Sequence, residues 1–232
     1  MNAKRWTALL LALMMVFALT ACSGSGKSNE KAVEAAAQGK AVSYEALIGA
    51  LENVYNNQDA TVEDAMKAAF GADFAATMMG FYESAKEMGE ASEEDLNDVN
   101  ILGLDGFEKG KEVKIEIAEA TALDEDAVKK LQESADGVSE SMEMIAQFSA
   151  MYDEMSEEEL AEAGMTQDDL AKMKSYIEKM LEIGKFFDGC TIEEAADLKL
   201  NVTVDGETQE IEKTVVKLNG NWVLSDMIDM MG

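Results

Sequence analysis

Cys22 and Cys190 are the only thiols in a chain of 232 residues that contains no histidine. Without imidazole there is no Ser-His-Asp or Cys-His nucleophile, no histidine base and no histidine-containing zinc site. A cysteine zinc site needs more thiols than Cys190 supplies once Cys22 is used otherwise. Carboxylates are everywhere: 47 Asp and Glu stand against 19 Lys and Arg, so no single acidic pair is diagnostic. One run invites a calcium reading. Asp98-Val99-Asn100, with Gly103 at the sixth position, opens like an EF-hand loop. Leu102 and Lys109 then occupy positions five and twelve, where oxygen ligands are required, and the motif fails. The acidic stretch Glu93–Asp98 reads as a solvated face.

Methionine is the other chemically suggestive residue. Met142, Met144, Met151 and Met155, or Met227, Met230 and Met231, carry thioethers that ligate soft metals. Most of the methionines recur at helical core spacing, where the flexible side chain fills irregular gaps. Core packing is the expectation, with the carboxy-terminal trio exposed after the last strand. Tyr44, Tyr55, Tyr82, Tyr152 and Tyr176 all fit helical apolar faces, and Trp222 is placed to stack on Lys217 across a hairpin. No catalytic group, metal ligand or cofactor site is assigned.

The amino terminus is more specific. Lys4 and Arg5 precede an apolar run from Trp6 to Leu19, interrupted only by Thr7. A run this short does not span a hydrocarbon core of about 30 Å, which takes roughly 20 apolar residues. Its charge, length and small-residue ending suit a secretory signal. That ending, Leu19-Thr20-Ala21-Cys22, resembles the lipobox of bacterial lipoprotein precursors. The resemblance implies cleavage before Cys22, a diacylglyceryl group on its thiol, and attachment to the extracytoplasmic face of the cell membrane. Residues 22–42, opening with Ser23-Gly24-Ser25-Gly26, read as the lipidated Cys and a flexible tether, with Glu30–Gln38 partly helical. About 20 flexible residues give an end-to-end distance near 25 Å.

After cleavage, 17 basic residues face 47 acidic ones, a net charge near −30. Such a surface repels phosphate backbones, so nucleic acid is excluded as a partner. Solubility alone accounts for the charge; divalent cations or a cationic partner also suit it. Cys190, with no histidine to activate it and no second thiol to pair with, is expected to be packed and inert.

The rest reads as one domain, 43–232. Ser43 caps a helix with Tyr44, Leu47, Ile48, Leu51, Val54 and Tyr55 on one face, and Asn56-Asn57 ends it. Thr61 and Asp64 open a second helix through Met78, kinked at Gly71 and Gly80, with Tyr82–Met88 a separate piece. Residues 90–110 read as loop. Val113, Ile115 and Ile117 alternate as a strand, and Asp124 caps a helix that stops near Gly137. Further helices carry Met142–Tyr152, begin at Ser156 and Glu159, and run from Thr166 to Phe187. The end is a meander of strands 197–204, 208–218 and 221–225 with two-residue turns at Asp205-Gly206 and Asn219-Gly220. These turns pair Leu200 with Ile211, Val202 with Gln209, Val216 with Val223 and Lys217 with Trp222. Apolar residues change sides near Thr214, which predicts a bulge or twist there.

The layout is α+β: helix-rich amino-terminal and central parts packed on a carboxy-terminal antiparallel meander. The closing run from Val215 to Leu224 resembles the ending of Firmicute lipoproteins of unknown function, often assigned a fold similar to nuclear transport factor 2 or cystatin. The resemblance implies a curved sheet wrapped on helices; the long helical stretch 124–187 departs from the compact form of that fold. The expected function is a membrane-anchored, non-catalytic binding or interaction module whose partner is an envelope protein or a small molecule. Two alternatives stand beside it. One is a small enzyme with an acid-lined cavity. The other is a component of an envelope transport system, disfavoured as a solute-binding subunit because strand-helix alternation is missing.

Overall fold

Two capping boxes and two tight turns punctuate the chain. Thr61 and Thr166 each accept a hydrogen bond from the backbone three residues on, and the carboxylates of Asp64 and Asp169 return the bond to the cap backbone. The computed structural model describes residues 26–89, 91, 101–102, 112–153 and 166–229. Within them the elements run α1 (Gly26–Ala37), α2 (Tyr44–Asn56), α3 (Val62–Phe70), α4 (Ala72–Met88), β1 (Val113–Ala122), α5 (Glu125–Asp153), α6 (Gln167–Phe187), β2 (Ile192–Val204), β3 (Glu207–Leu218), β4 (Asn221–Leu224) and α7 (Asp226–Asp229). The strands form one antiparallel sheet in the order β1-β2-β3-β4, with β1 and β4 at its edges. This is the expected α+β arrangement.

Both hairpin registers fall as the turn residues require. Leu200 faces Ile211, Val202 faces Gln209, Val216 faces Val223 and Lys217 faces Trp222. Positive φ at Asp205, Gly206, Asn219 and Gly220 makes both turns of the kind whose twist suits a hairpin. Of the bulge or twist expected near Thr214, the bulge is absent: the ladder runs unbroken from Ala195–Val216 to Val204–Glu207. At this end both sheet faces are covered, so Val215 and Val216, on opposite faces, are both fully buried. Lys213, on the inward side, is neutralised by Asp226 at 2.6 Å. The irregularities lie instead between Ile117 and Glu119 in β1 and between Ile192 and Glu194 in β2.

The helices differ from expectation in three places. α1 begins at Gly26 and its Ala36 is fully buried in the core, so residues 26–37 belong to the folded body and are not a free tether. The second predicted helix divides cleanly at Gly71, whose φ of 89° and ψ of 157° stop α3, while α4 runs straight through Gly80 to Met88. α5 does not stop at Gly137. Val128, Leu131, Ala135, Val138, Met142 and Ile145 continue one buried stripe at three- and four-residue steps. Holding that face against α6 and β2 outweighs the roughly 1 kcal/mol a helical glycine costs. β2 also starts five residues before its expected position at 197.

Candidate functional site

Side-chain amides join the helices to the sheet. Asn56, the last residue of α2, accepts from Val113 N–H at 2.8 Å and donates to Val113 C=O at 2.7 Å. Glu52, one turn earlier, accepts from Ile115 N–H at 2.6 Å. Together they occupy the free edge of β1 as a neighbouring strand would. Gln132 of α5 does the same at the start of β2, accepting from Ile192 N–H at 2.8 Å and donating to Cys190 C=O at 3.0 Å. The β4 edge is stitched to the α1–α2 link: Trp222 N–H donates to Ala41 C=O at 2.9 Å and Asn221 Nδ2 to Gly39 C=O at 3.0 Å.

That last join borders a half-open cleft of about 340 Å³ between the α1–α2 link, the α3–α4 junction and the β3–β4 turn. Its volume is at the small end of the range for ligand sites. Phe70, Phe74, Phe186, Leu218 and Val223 supply apolar walls, while exposed Lys40 and Asp73 stand on the lining's polar side. The two glycines at its base are fixed by geometry. Gly39 has φ +79°, and a Cβ there would lie 2.2 Å from the backbone nitrogen of Ala72. Gly71 has φ +89°, with the Asn221 amide 3.1 Å from where its Cβ would stand. Asn221 Oδ1 is buried without a hydrogen-bond partner. The cleft can receive an apolar group beside a neutral amide.

A second depression of about 530 Å³ lies on the sheet, lined mainly by charged and hydroxyl side chains of β1, β2 and β3. There Lys199 pairs with Glu119 at 3.4 Å and Thr214 Oγ1 donates to Asp197 at 2.7 Å. Its surface charges answer one another within the sheet.

The groups singled out in the sequence fall as follows. Cys22, the expected lipidation site, lies outside the described residues, as do Met155, Met230, Met231 and the box at Ser156 and Glu159. Of the calcium-like run only Ile101 and Leu102 are described, and both are buried; Leu102 N–H donates to the Tyr55 hydroxyl at 3.2 Å. A side chain at ligand position five is thus committed to the core. Cys190 is buried, its Sγ donating to Phe186 C=O at 2.7 Å and accepting from Asn219 at 3.7 Å. Burial pushes its pKa up, against the Asn219 hydrogen bond that lowers it, so the thiolate is disfavoured as expected for an inert thiol. Met142 and Met227 are core residues, and Met227 is fully buried, contrary to the exposure expected of it; Met144 is 59% exposed. Trp222 does not stack on Lys217. Its ring meets Tyr44 edge-on with centroids 5.3 Å apart, while Lys217 turns to Glu193 and Glu194 at 3.1 and 2.8 Å.

The other shifted groups serve the fold. Asp64 and Asp169 are lowered by their bonds from Thr61 and Thr166, and Tyr55 is raised by burial. Among the described residues no group of three or more acids and thiols is arranged to hold a metal ion. Sequence reasoning missed Asn56, Gln132, Asn219 and Asn221 as joining residues. The sequence marks Asn56 and Asn219 only as a helix stop and a turn former, and nothing in their spacing points to a partner 57 or 28 residues away. Compared with protein families, curated proteins and solved structures, the chain matches none of them.

Proposed function

We propose that this protein is a lipid-anchored extracytoplasmic lipoprotein that acts as a non-catalytic binding or interaction module. The observation that carries the reading is Leu19-Thr20-Ala21-Cys22, closing a charged and then apolar leader too short to span a bilayer. Two acyl chains hold a protein stably where one holds it only marginally. Nothing else in the composition favours a membrane, since the remainder is strongly acidic and would be repelled by anionic headgroups. Among the described residues no helix is long and apolar enough to cross one. Support for binding rather than catalysis comes from what the perturbed groups do. Cys190, Asp64, Asp169 and Tyr55 are engaged in caps and core contacts, and the cleft walls are mainly apolar. In this reading the partner is an envelope protein or an apolar small molecule reaching the Phe70–Phe74 cleft.

Mass spectrometry of the mature amino terminus tests the anchor. Expected is cleavage before Cys22 with diacylglyceryl on its sulfur, and loss of the protein from membranes in Cys22→Ala. An unmodified terminus, or a Cys22→Ala chain that stays in the membrane fraction, refutes it. Thermal melts with envelope ligands, and proximity labelling in cells, then separate a small-molecule partner from a protein one.

A further inference from the structure

We infer that α1 is a docked mount that holds the folded body close against the bilayer. The inference rests on the lipid anchor at Cys22 and adds to it what happens next along the chain. A tether of residues 22–42 would let the body wander about 25 Å from the surface. α1 is instead part of the core. Ala36 is fully buried, Ala32 and Val33 pack against the same cluster, and Val33 lies so near α2 that its Cγ2 is 2.9 Å from an ideal Cβ on Gly49. Beyond α1, Ala41 is buried and the link is hydrogen-bonded to β4 through Gly39 and Ala41. Only four peptide units then separate Cys22 from Gly26, a span of at most about 14 Å.

Charge agrees with this placement. Residues 22–42 hold three lysines and two glutamates, whereas residues 43–232 hold 14 basic and 45 acidic residues. Headgroup repulsion decays over about 8 Å at physiological salt, so a body mounted this close feels it. The part nearest the lipid is thus not acidic, unlike the chain as a whole.

A disulfide between α1 and α2 tests the mount. In Val33→Cys/Gly49→Cys the two Cβ atoms would be 3.9 Å apart, within the range a disulfide spans. Trp222 is the only tryptophan remaining after cleavage before Cys22, so it can serve as energy donor to dansylated headgroups in vesicles of phosphatidylethanolamine and phosphatidylglycerol. The lipidated double variant is measured oxidised and then reduced with dithiothreitol. A second variant carries twelve Gly/Ser residues inserted before Gly26. The mount predicts that the disulfide forms, that reduction leaves energy transfer unchanged, and that the insertion, by lengthening the spacer from four residues to sixteen, roughly doubles its reach and lowers transfer. Failure of the disulfide to form, or a drop in transfer on reduction as large as the insertion causes, overturns the mount while leaving the lipid anchor intact. A terminus without lipid overturns both, and the mass spectrum tells the two failures apart.

Discussion

Removing the Asn56 side chain should show how firmly α2 is bound to the sheet. In Asn56→Ala the amide that accepts from Val113 N–H and donates to Val113 C=O disappears, and so does its bond to Glu52 C=O at 2.9 Å. Val113 is 2% exposed, so its two backbone groups lose their partners at a site water reaches poorly. An orphaned buried donor or acceptor costs about 1–3 kcal/mol. Two of them, discounted because the edge can admit some solvent, give an expected loss of about 2–3 kcal/mol. Asn56→Asp sharpens the test. One carboxylate oxygen can still accept from Val113 N–H, but the other then faces the Val113 carbonyl where a donor stood. At neutral pH the loss should be at least that of alanine. Its folded pKa should be raised, because only the protonated acid can donate to the carbonyl. The variant therefore regains stability as pH falls through that raised value, opposite in sign to the capping aspartates. Urea unfolding followed by circular dichroism, with slopes compared between variants, measures both. A loss below about 0.5 kcal/mol for alanine, within the range of ordinary surface substitutions, would refute the edge-plug argument.

Two further outcomes follow from backbone geometry and from the caps. Gly39→Ala should destabilise by more than 2 kcal/mol (about the cost of a steric clash in a left-handed conformation), since its Cβ would collide with the Ala72 nitrogen. Gly137→Ala should stabilise by about 1 kcal/mol, because it lies inside α5 with nothing within 4 Å of the new methyl; thermal melts that fail to separate the two refute the reading. Asp64 and Asp169 sit below their ordinary value of 3.8 through hydrogen bonds from Thr61 and Thr166. The folded chain then binds fewer protons than the unfolded one just below that value, so the contribution is complete above it and lost as pH falls through the lower folded values. Thr61→Ala/Thr166→Ala should lose stability at neutral pH and show a shallower decline between about pH 5 and pH 2; an unchanged acid limb would contradict the assignment.

The elements most legible in the sequence are those whose signals are local. Ser43, the two threonine-aspartate boxes and the turns at Asp205 and Asn219 each act within four residues, and each does what its chemistry requires. Errors arise where a local signal competes with a distant one. Gly137 looks like a stop until the stripe from Val128 to Ile145 is seen to need α6 and β2 opposite it. Thr214 looks like a bulge because period-two reasoning assumes one buried face, whereas Val215 and Val216 are covered on opposite sides. The Ala-rich segment after Glu30 looks like a tether because small residues bury little area. Yet Ala36 of α1 is fully buried, and Val33 packs close against α2 where Gly49 has no side chain.

The same distinction explains why the anchor is easier to read than the site. A leader and lipobox of the proposed kind would be recognised as an extended sequence before folding, so their information is linear. The cleft is assembled from a link after α1, a helix junction at Gly71 and a turn at Asn219, three pieces separated by 30 to 150 residues. Its polar marker, Asn221, presents only a common amide to the sequence, and nothing local shows that its Oδ1 is buried without a partner while its Nδ2 donates to Gly39 C=O. That oxygen has almost no accessible surface, so it is not offered to a ligand entering the cleft. Affinity there must then come from apolar burial, on the order of 25 cal/mol per Å². A cleft of about 340 Å³ limits how much surface it can cover, which favours a small apolar group, such as a side chain presented by a partner protein. A binding module of the kind proposed above would recognise its partner mainly by shape, while long-range charge, at 45 acidic residues to 14 basic in residues 43–232, would favour a cationic surface around that group.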